Sequence, residues 1–132
     1  MTKRERDPEL PSTTQRVDTG WGKIYVTIAE DDGDPFEVFV NTGMSGGLFN
    51  AQAEAIGKTV SVALRMAEDR GAAAEELADK LIGIRSDKVA MDSGDNILSV
   101  PDAIGIALRR HVRGMQGMEV RDVGDMEKDP EP

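Results

Sequence analysis

An α+β fold, a small antiparallel sheet of about three strands packed against about three helices, follows from three features of this 132-residue sequence. Two stretches alternate apolar and polar side chains at the period of a strand, a glycine-rich loop comes next, and from Leu48 the apolar residues recur at the three-and-four spacing of a helix. The first strand sets Ile24, Val26 and Ile28 against Tyr25 and Thr27; the second sets Phe36, Val38 and Val40 against Glu37 and Phe39. Asp31-Asp32-Gly33-Asp34 makes the turn between them, because Gly accepts a positive φ and Asp bonds its own backbone. Pro35 cannot sit in a central ladder position, so the second strand is predicted to begin after it. Phe49, Ala53, Ile56, Val60, Ala63, Leu64 and Ala67 then form one helical face that can cover the apolar side of the hairpin.

The remaining elements fall on either side of this unit. Residues 1–11 are charged, carry Pro8 and Pro11, and read as a flexible lead-in. Thr13 to Asp18 suits an edge strand, and Thr19-Gly20-Trp21-Gly22 a turn. Glu68-Asp69-Arg70-Gly71 is predicted to end the long helix, with Gly71 as its cap, and a second helix to run from Ala73 to about Ile82. Arg85 to Asn96 reads as a loop, with Val89 and Met91 pinned to the core. Ser99 is a candidate cap for a third helix that has Pro101 in its first turn and Ile104, Leu108 and Val112 on its apolar face. One globular unit over residues 12–113 and an acidic flexible tail over 114–132 complete the organisation.

Composition narrows the function. With 25 acidic against 16 basic residues and a formal charge of -9, a general phosphate-neutralising surface for nucleic acid is not expected. Arg outnumbers Lys and acid is spread along the chain, a pattern compatible with high internal salt, where self-repulsion is screened. Absence of cysteine excludes disulfides, thiolate metal sites and thiol catalysis within the chain. No apolar run approaches the roughly 18 residues of a membrane span and the start has no signal-like segment, so a cytoplasmic location away from membranes is expected.

Few constellations suggest chemistry. Asn41-Thr42-Gly43-Met44-Ser45-Gly46-Gly47 opens onto the long helix, and backbone N–H groups approached through glycines can hold an anion; the alternative is a sharp turn with Ser45 as cap. Gly43, Ser45, Gly46 and Gly47 are therefore candidate nucleotide or anion contacts, with Arg109, Arg110 and Arg113 as a second cationic group. No Lys follows at phosphate-loop spacing and no dinucleotide fingerprint is present. His111, the only histidine, lies within Arg109-Arg110-His111-Val112-Arg113 with no sequence neighbour to orient it as a base, so this stretch reads as a solvated basic helix end, or else as a contact for an acidic or phosphate-bearing partner. Asp31, Asp32 and Asp34 about Gly33, and Asp92, Asp95 and Asn96 about Gly94, lack the spacing of a calcium loop and read as acidic turns. Trp21 is either a packing anchor over the sheet edge or an exposed docking residue. Nothing local assembles a nucleophile, base and orienting group.

Several stretches taken together resemble one family. Leu10-Pro11-Ser12-Thr13-Thr14 with Arg16-Val17, Thr19-Gly20-Trp21-Gly22 with Tyr25-Val26-Thr27, Pro35 to Val40, Gly46-Gly47 through Ala51-Gln52 to Gly57, Leu81 to Arg85, and Ser99 to Ile104 are similar, in order, to the TSCPD domain, found mostly at the C-terminus of adenosylcobalamin-dependent ribonucleotide reductases and sometimes as a separate short chain. The family pattern carries cysteines where this chain has Trp21, Leu48, Ser86 and Val100, and four such residues would suit structural zinc. Their loss must be offset; burying Trp21, Leu48 and Val100 in one cluster beside Ser86 would supply about 1.5 to 3 kcal/mol for each large apolar side chain.

The resemblance implies a link to ribonucleotide reduction, yet that reaction needs a thiyl radical and a redox-active cysteine pair, which this chain lacks. The reading it implies is a non-catalytic accessory chain or detached C-terminal domain. It would bind no cofactor itself, meeting adenosylcobalamin only through a partner reductase chain; self-association is the other pairing expected. A stand-alone interaction or regulatory module that has lost the metal site, and a small nucleotide-binding protein, are the alternatives.

Overall fold

In the computed structural model, residues 5–42 and 47–114 are described, without the side chains of Gly47 and Leu48. Strands β1 (Ser12–Thr19), β2 (Gly22–Asp31) and β3 (Asp34–Asn41) form an antiparallel sheet in the order β1-β2-β3. Helices α1 (Gly47–Met66) and α2 (Arg70–Leu81) follow, then a hairpin of β4 (Ala90–Asp92) and β5 (Asp95–Ile97), then α3 (Val100–Val112). This is the α+β architecture expected, a three-strand antiparallel sheet against three helices, with one small hairpin added.

The core face of the sheet is Val17, Ile24, Val26, Ile28 and Val38, set by the period of two along each strand. Asp32 and Gly33 both take positive φ (56° and 82°), the backbone of a two-residue turn whose twist matches the strands it joins. Contrary to expectation, β3 starts before Pro35. The proline opposes Glu30 just after a register shift between Ala29 and Glu30, and its carbonyl accepts from Arg70 Nε at 3.1 Å. A proline N without a hydrogen is tolerated at such an irregularity.

Two helices divide the covering of the sheet. α3 touches all three strands, α1 and α2, and is buried on every side from Asp102 to His111, its polar residues included. α1 packs along β3, where Ser61 Oγ accepts from Val38 N–H (2.8 Å) and its hydroxyl reaches Val38 O (3.1 Å), so a helix side chain occupies the hydrogen-bonding positions of a missing strand. The approach is close enough that a Cβ on Gly57 would lie 3.0 Å from Val38 O.

Three other expectations give way. Gly71 lies inside α2, whose cap is Asp69, with Oδ1 accepting from Ala72 N–H at 3.0 Å. The predicted 85–96 loop contains the β4–β5 hairpin, closed by Ser93 and Gly94 at φ 51° and 90°. Val89 and Met91 are exposed, because strands this short pair only with each other and leave Met91 facing outward. Ser99 does cap α3, accepting from Asp102 N–H at 3.0 Å.

Candidate functional site

A cavity of about 480 Å³ opens at the N-terminal end of α3. Its apolar walls are Trp21 from the β1–β2 turn, Phe49 and Ile56 from α1, and Val100 and Pro101 from α3. Trp21 and Phe49 meet edge to face, centroids 4.9 Å apart. Ser86, Ser99 and Gln52 supply the polar lining, and both hydroxyls are engaged by the fold. Ser86 Oγ accepts from Trp21 Nε1 (3.1 Å) and donates to Leu98 O (2.8 Å), while Ser99 donates to Ile84 O (2.6 Å) besides capping its helix. Lys88 lies with its ammonium 4.3 Å from the Trp21 ring centroid, a cation–π contact. Beneath Lys88, Gly20 comes so close that a Cβ there would sit 2.5 Å from the Lys88 carbonyl carbon.

Of the four positions where the resemblance puts cysteines, the structure brings Trp21, Ser86 and Val100 to this cavity; the Leu48 side chain lies outside the described residues, one position before Phe49. These residues do not fit a metal. An indole and an isopropyl group donate nothing, and the Ser86 hydroxyl is already bonded. Among the described residues no group of three His, Cys, Asp or Glu is placed to hold an ion.

The C-terminal end of α3 differs from the solvated basic end read from the sequence. Arg110, 1% exposed, donates to Asp92 Oδ2 (2.8 Å), to Asp92 O and to Asp95 Oδ2 (both 2.9 Å), tying the hairpin to the core. Arg109 lies 3.5 Å from both Glu75 and Asp79, and Arg113 Nε 3.2 Å from Glu75, which joins α3 to α2. His111, also buried, bonds Glu30 through Nε2 (2.5 Å) and Thr13 through Nδ1 (3.2 Å). A hydroxyl, an imidazole and a carboxylate in line have the connectivity of a nucleophilic relay, but neither of the cavities described here is lined by them, and they clamp α3 to β1 and β2. The arginines proposed as anion contacts, Arg109, Arg110 and Arg113, therefore face carboxylates of the chain itself. Of the glycine-loop contacts, Gly43, Ser45 and Gly46 lie outside the described residues, and Gly47 opens α1. None of these pairings is visible in local sequence, since the partners lie 15 to 98 residues apart.

A second, larger groove of about 1040 Å³ runs between β3 and α1, past Phe39, Val40, Asn50, Lys58 and Val62. On its rim a hydrogen bond from Lys58 (2.8 Å), assisted by its charge, holds the exposed Glu54 carboxyl below its ordinary pKa, and raises that of Lys58 in return.

The fold and the site together define a small α+β domain whose buried polar groups serve largely its own packing and which carries an apolar cavity at one end of α3. The particular family is the TSCPD domain: the chain matches it over residues 1–112 and is a member, one without cysteine. The chain matches no curated protein and no solved structure. Among the described residues no helix is long and apolar enough to cross a membrane.

Proposed function

We propose that this chain is a non-catalytic accessory domain of a cobalamin-dependent ribonucleotide reductase, acting as a detached counterpart of the C-terminal domain that such enzymes carry. The observation that carries this reading is the coincidence of family membership over residues 1–112 with a complete lack of cysteine. These 132 residues hold no thiol and supply neither the radical nor the reducing pair of ribonucleotide reduction, so their contribution passes through a catalytic unit that has both. Adenosylcobalamin then belongs to the partner, and the role left to this chain is assembly, substrate delivery or regulation.

The small nucleotide-binding reading loses support, because Arg109, Arg110 and Arg113 are engaged by Glu75, Asp79, Asp92 and Asp95. An interaction module with a different partner is the reading that competes. Affinity purification of the tagged chain from its own host separates the two: the reductase catalytic chain is expected in stoichiometric amount, and its consistent absence alongside another stoichiometric protein would overturn the assignment.

A further inference from the structure

We infer that the open stretch of the β1 edge, Ser12 to Arg16, is where two copies of this chain pair, antiparallel about a two-fold axis through Thr14, so that two three-strand sheets become one of six strands. This does not depend on the reductase reading. Along an edge strand, backbone groups point by turns to the neighbouring strand and to the outside. In β1 the odd-numbered residues serve β2: Pro11 O, just ahead of the strand, accepts from Glu30 N–H at 2.9 Å, and Thr19 pairs with Gly22 across the turn. Asp18 points the other way, and its N–H donates to Asp92 Oδ1 at 2.9 Å. Ser12, Thr14 and Arg16 share that parity and therefore hold their N–H and C=O groups on the outer side.

The sheet border is covered at β3 and at the far end of β1, but not here. Along β3, Ser61 bonds both Val38 N–H and Val38 O, and α1 approaches to within contact at Gly57. At the far end of β1 the β4–β5 hairpin lies alongside, and Asp92 takes the Asp18 N–H. Between these covers Ser12, Thr14 and Arg16 are all exposed, and among the described residues nothing bonds their outward backbone groups. The stretch has no proline and its register with β2 is unbroken, so neither of two common devices that stop an edge from pairing is present.

A second copy matches this edge in length, direction and charge. The open stretch is centred on Thr14, with Pro11, which has no N–H, closing one end and Asp92 the other. Two-fold pairing sets Thr14 opposite the same residue of the second copy and Ser12 opposite Arg16, so every outward group of the stretch is used on both copies. The ladder then stops where each chain already stops it. Ahead of Pro11 the chain has turned across the sheet, where Arg6 Nε donates to Glu37 Oε1 on β3 at 2.7 Å, and so it stays clear of the other copy's hairpin. In a chain of formal charge -9 this stretch carries one arginine and no carboxylate, and the register places Arg16 against a hydroxyl with its counterpart at the opposite end. Only the net charges repel, and salt screens that repulsion.

Analytical ultracentrifugation of the full chain over a concentration series, at low and at molar potassium chloride, tests this. A monomer–dimer equilibrium that tightens with salt is expected. Thr14→Glu and Thr14→Lys each set like charges face to face across the axis and should weaken the dimer about threefold or more at low salt, while their equimolar mixture restores it. Circular dichroism spectra equal to wild type show that these exposed-site variants fold. Because the chain has no cysteine, Thr14→Cys introduces a single thiol, and a directly opposed pair about 5.5 Å apart at Cα is within disulfide reach. Under the oxidant diamide it should cross-link faster than Phe39→Cys, which is as exposed on the sheet's outer face but two strands away. A monomer under all conditions, a dimer indifferent to both charged variants, or faster cross-linking through position 39 would overturn the proposal. So would slow hydrogen exchange at the Thr14 and Arg16 amides of a monomer, which would mean that the chain covers its own edge. A dimer behaving as described with no reductase co-purifying leaves edge pairing standing and removes the reductase assignment.

Discussion

The two ends of α3 use cations in opposite ways. At the C-terminal end Arg109, Arg110 and His111 are buried and each has a carboxylate from another element, so the positive charge that would complement the helix dipole also locks α3 to α2, to the hairpin and to the sheet. At the N-terminal end the hydroxyls are used by the fold, the walls are apolar, and the nearby cation, Lys88, is exposed and rests on the Trp21 ring rather than on a carboxylate. Charge beside a helix therefore says little until its partner is known. One end is built for cohesion through ion pairs, and the other is apolar and carries its lysine on an aromatic ring.

The contrast breaks most visibly at Arg110. Arg110→Met leaves Asp95, which is fully buried, without its cation, and a loss of about 3 to 5 kcal/mol in chemical denaturation is expected. Adding Asp95→Asn should recover part of it; no recovery would mean that side-chain packing, not the pair, matters there. Midway along the helix, Gly105→Ala places a Cβ 2.9 Å from Leu81 Cβ and 3.0 Å from Ile82 N, where α2 crosses, and should cost roughly 1 to 3 kcal/mol by the same measurement. At the other end Ser99→Ala removes the cap of α3 and the bond to Ile84 O, for about 1 to 2 kcal/mol. Lys88→Glu removes the cation–π contact with Trp21 and should cost about 0.5 to 1 kcal/mol, the smallest of the four losses. A large loss from Lys88→Glu, or a small one from Arg110→Met, would reverse the division between the ends.

Much of the fold was legible because it depends on short-range pattern. The alternation in β2 and β3, the Asp32-Gly33 turn, the long periodic run of α1 and the Ser99 cap all sit within a few residues of each other. The β4–β5 hairpin escaped because three-residue strands are too short to show alternation; Ser93-Gly94, a turn pair able to take positive φ, was the available clue. The surroundings of α3 escaped for a different reason. Its partners Asp92, Glu75, Glu30 and Thr13 are separated from it by 18 to 98 residues, and only the folded chain brings them together. The cavity was half legible: the resemblance singled out Trp21, Ser86 and Val100, whereas Phe49, Gln52 and Pro101 entered only with the helix geometry.

The division between the two ends is tested most directly by light scattering on the purified chain mixed with the cobalamin-dependent reductase chain of its own host, with wild type and Lys88→Glu run side by side. Wild type is expected to form a complex of summed mass, and Lys88→Glu, with a wild-type circular dichroism spectrum, to leave two separate species. Equal complexes from both proteins would contradict it, whereas none from either would overturn the reductase assignment instead.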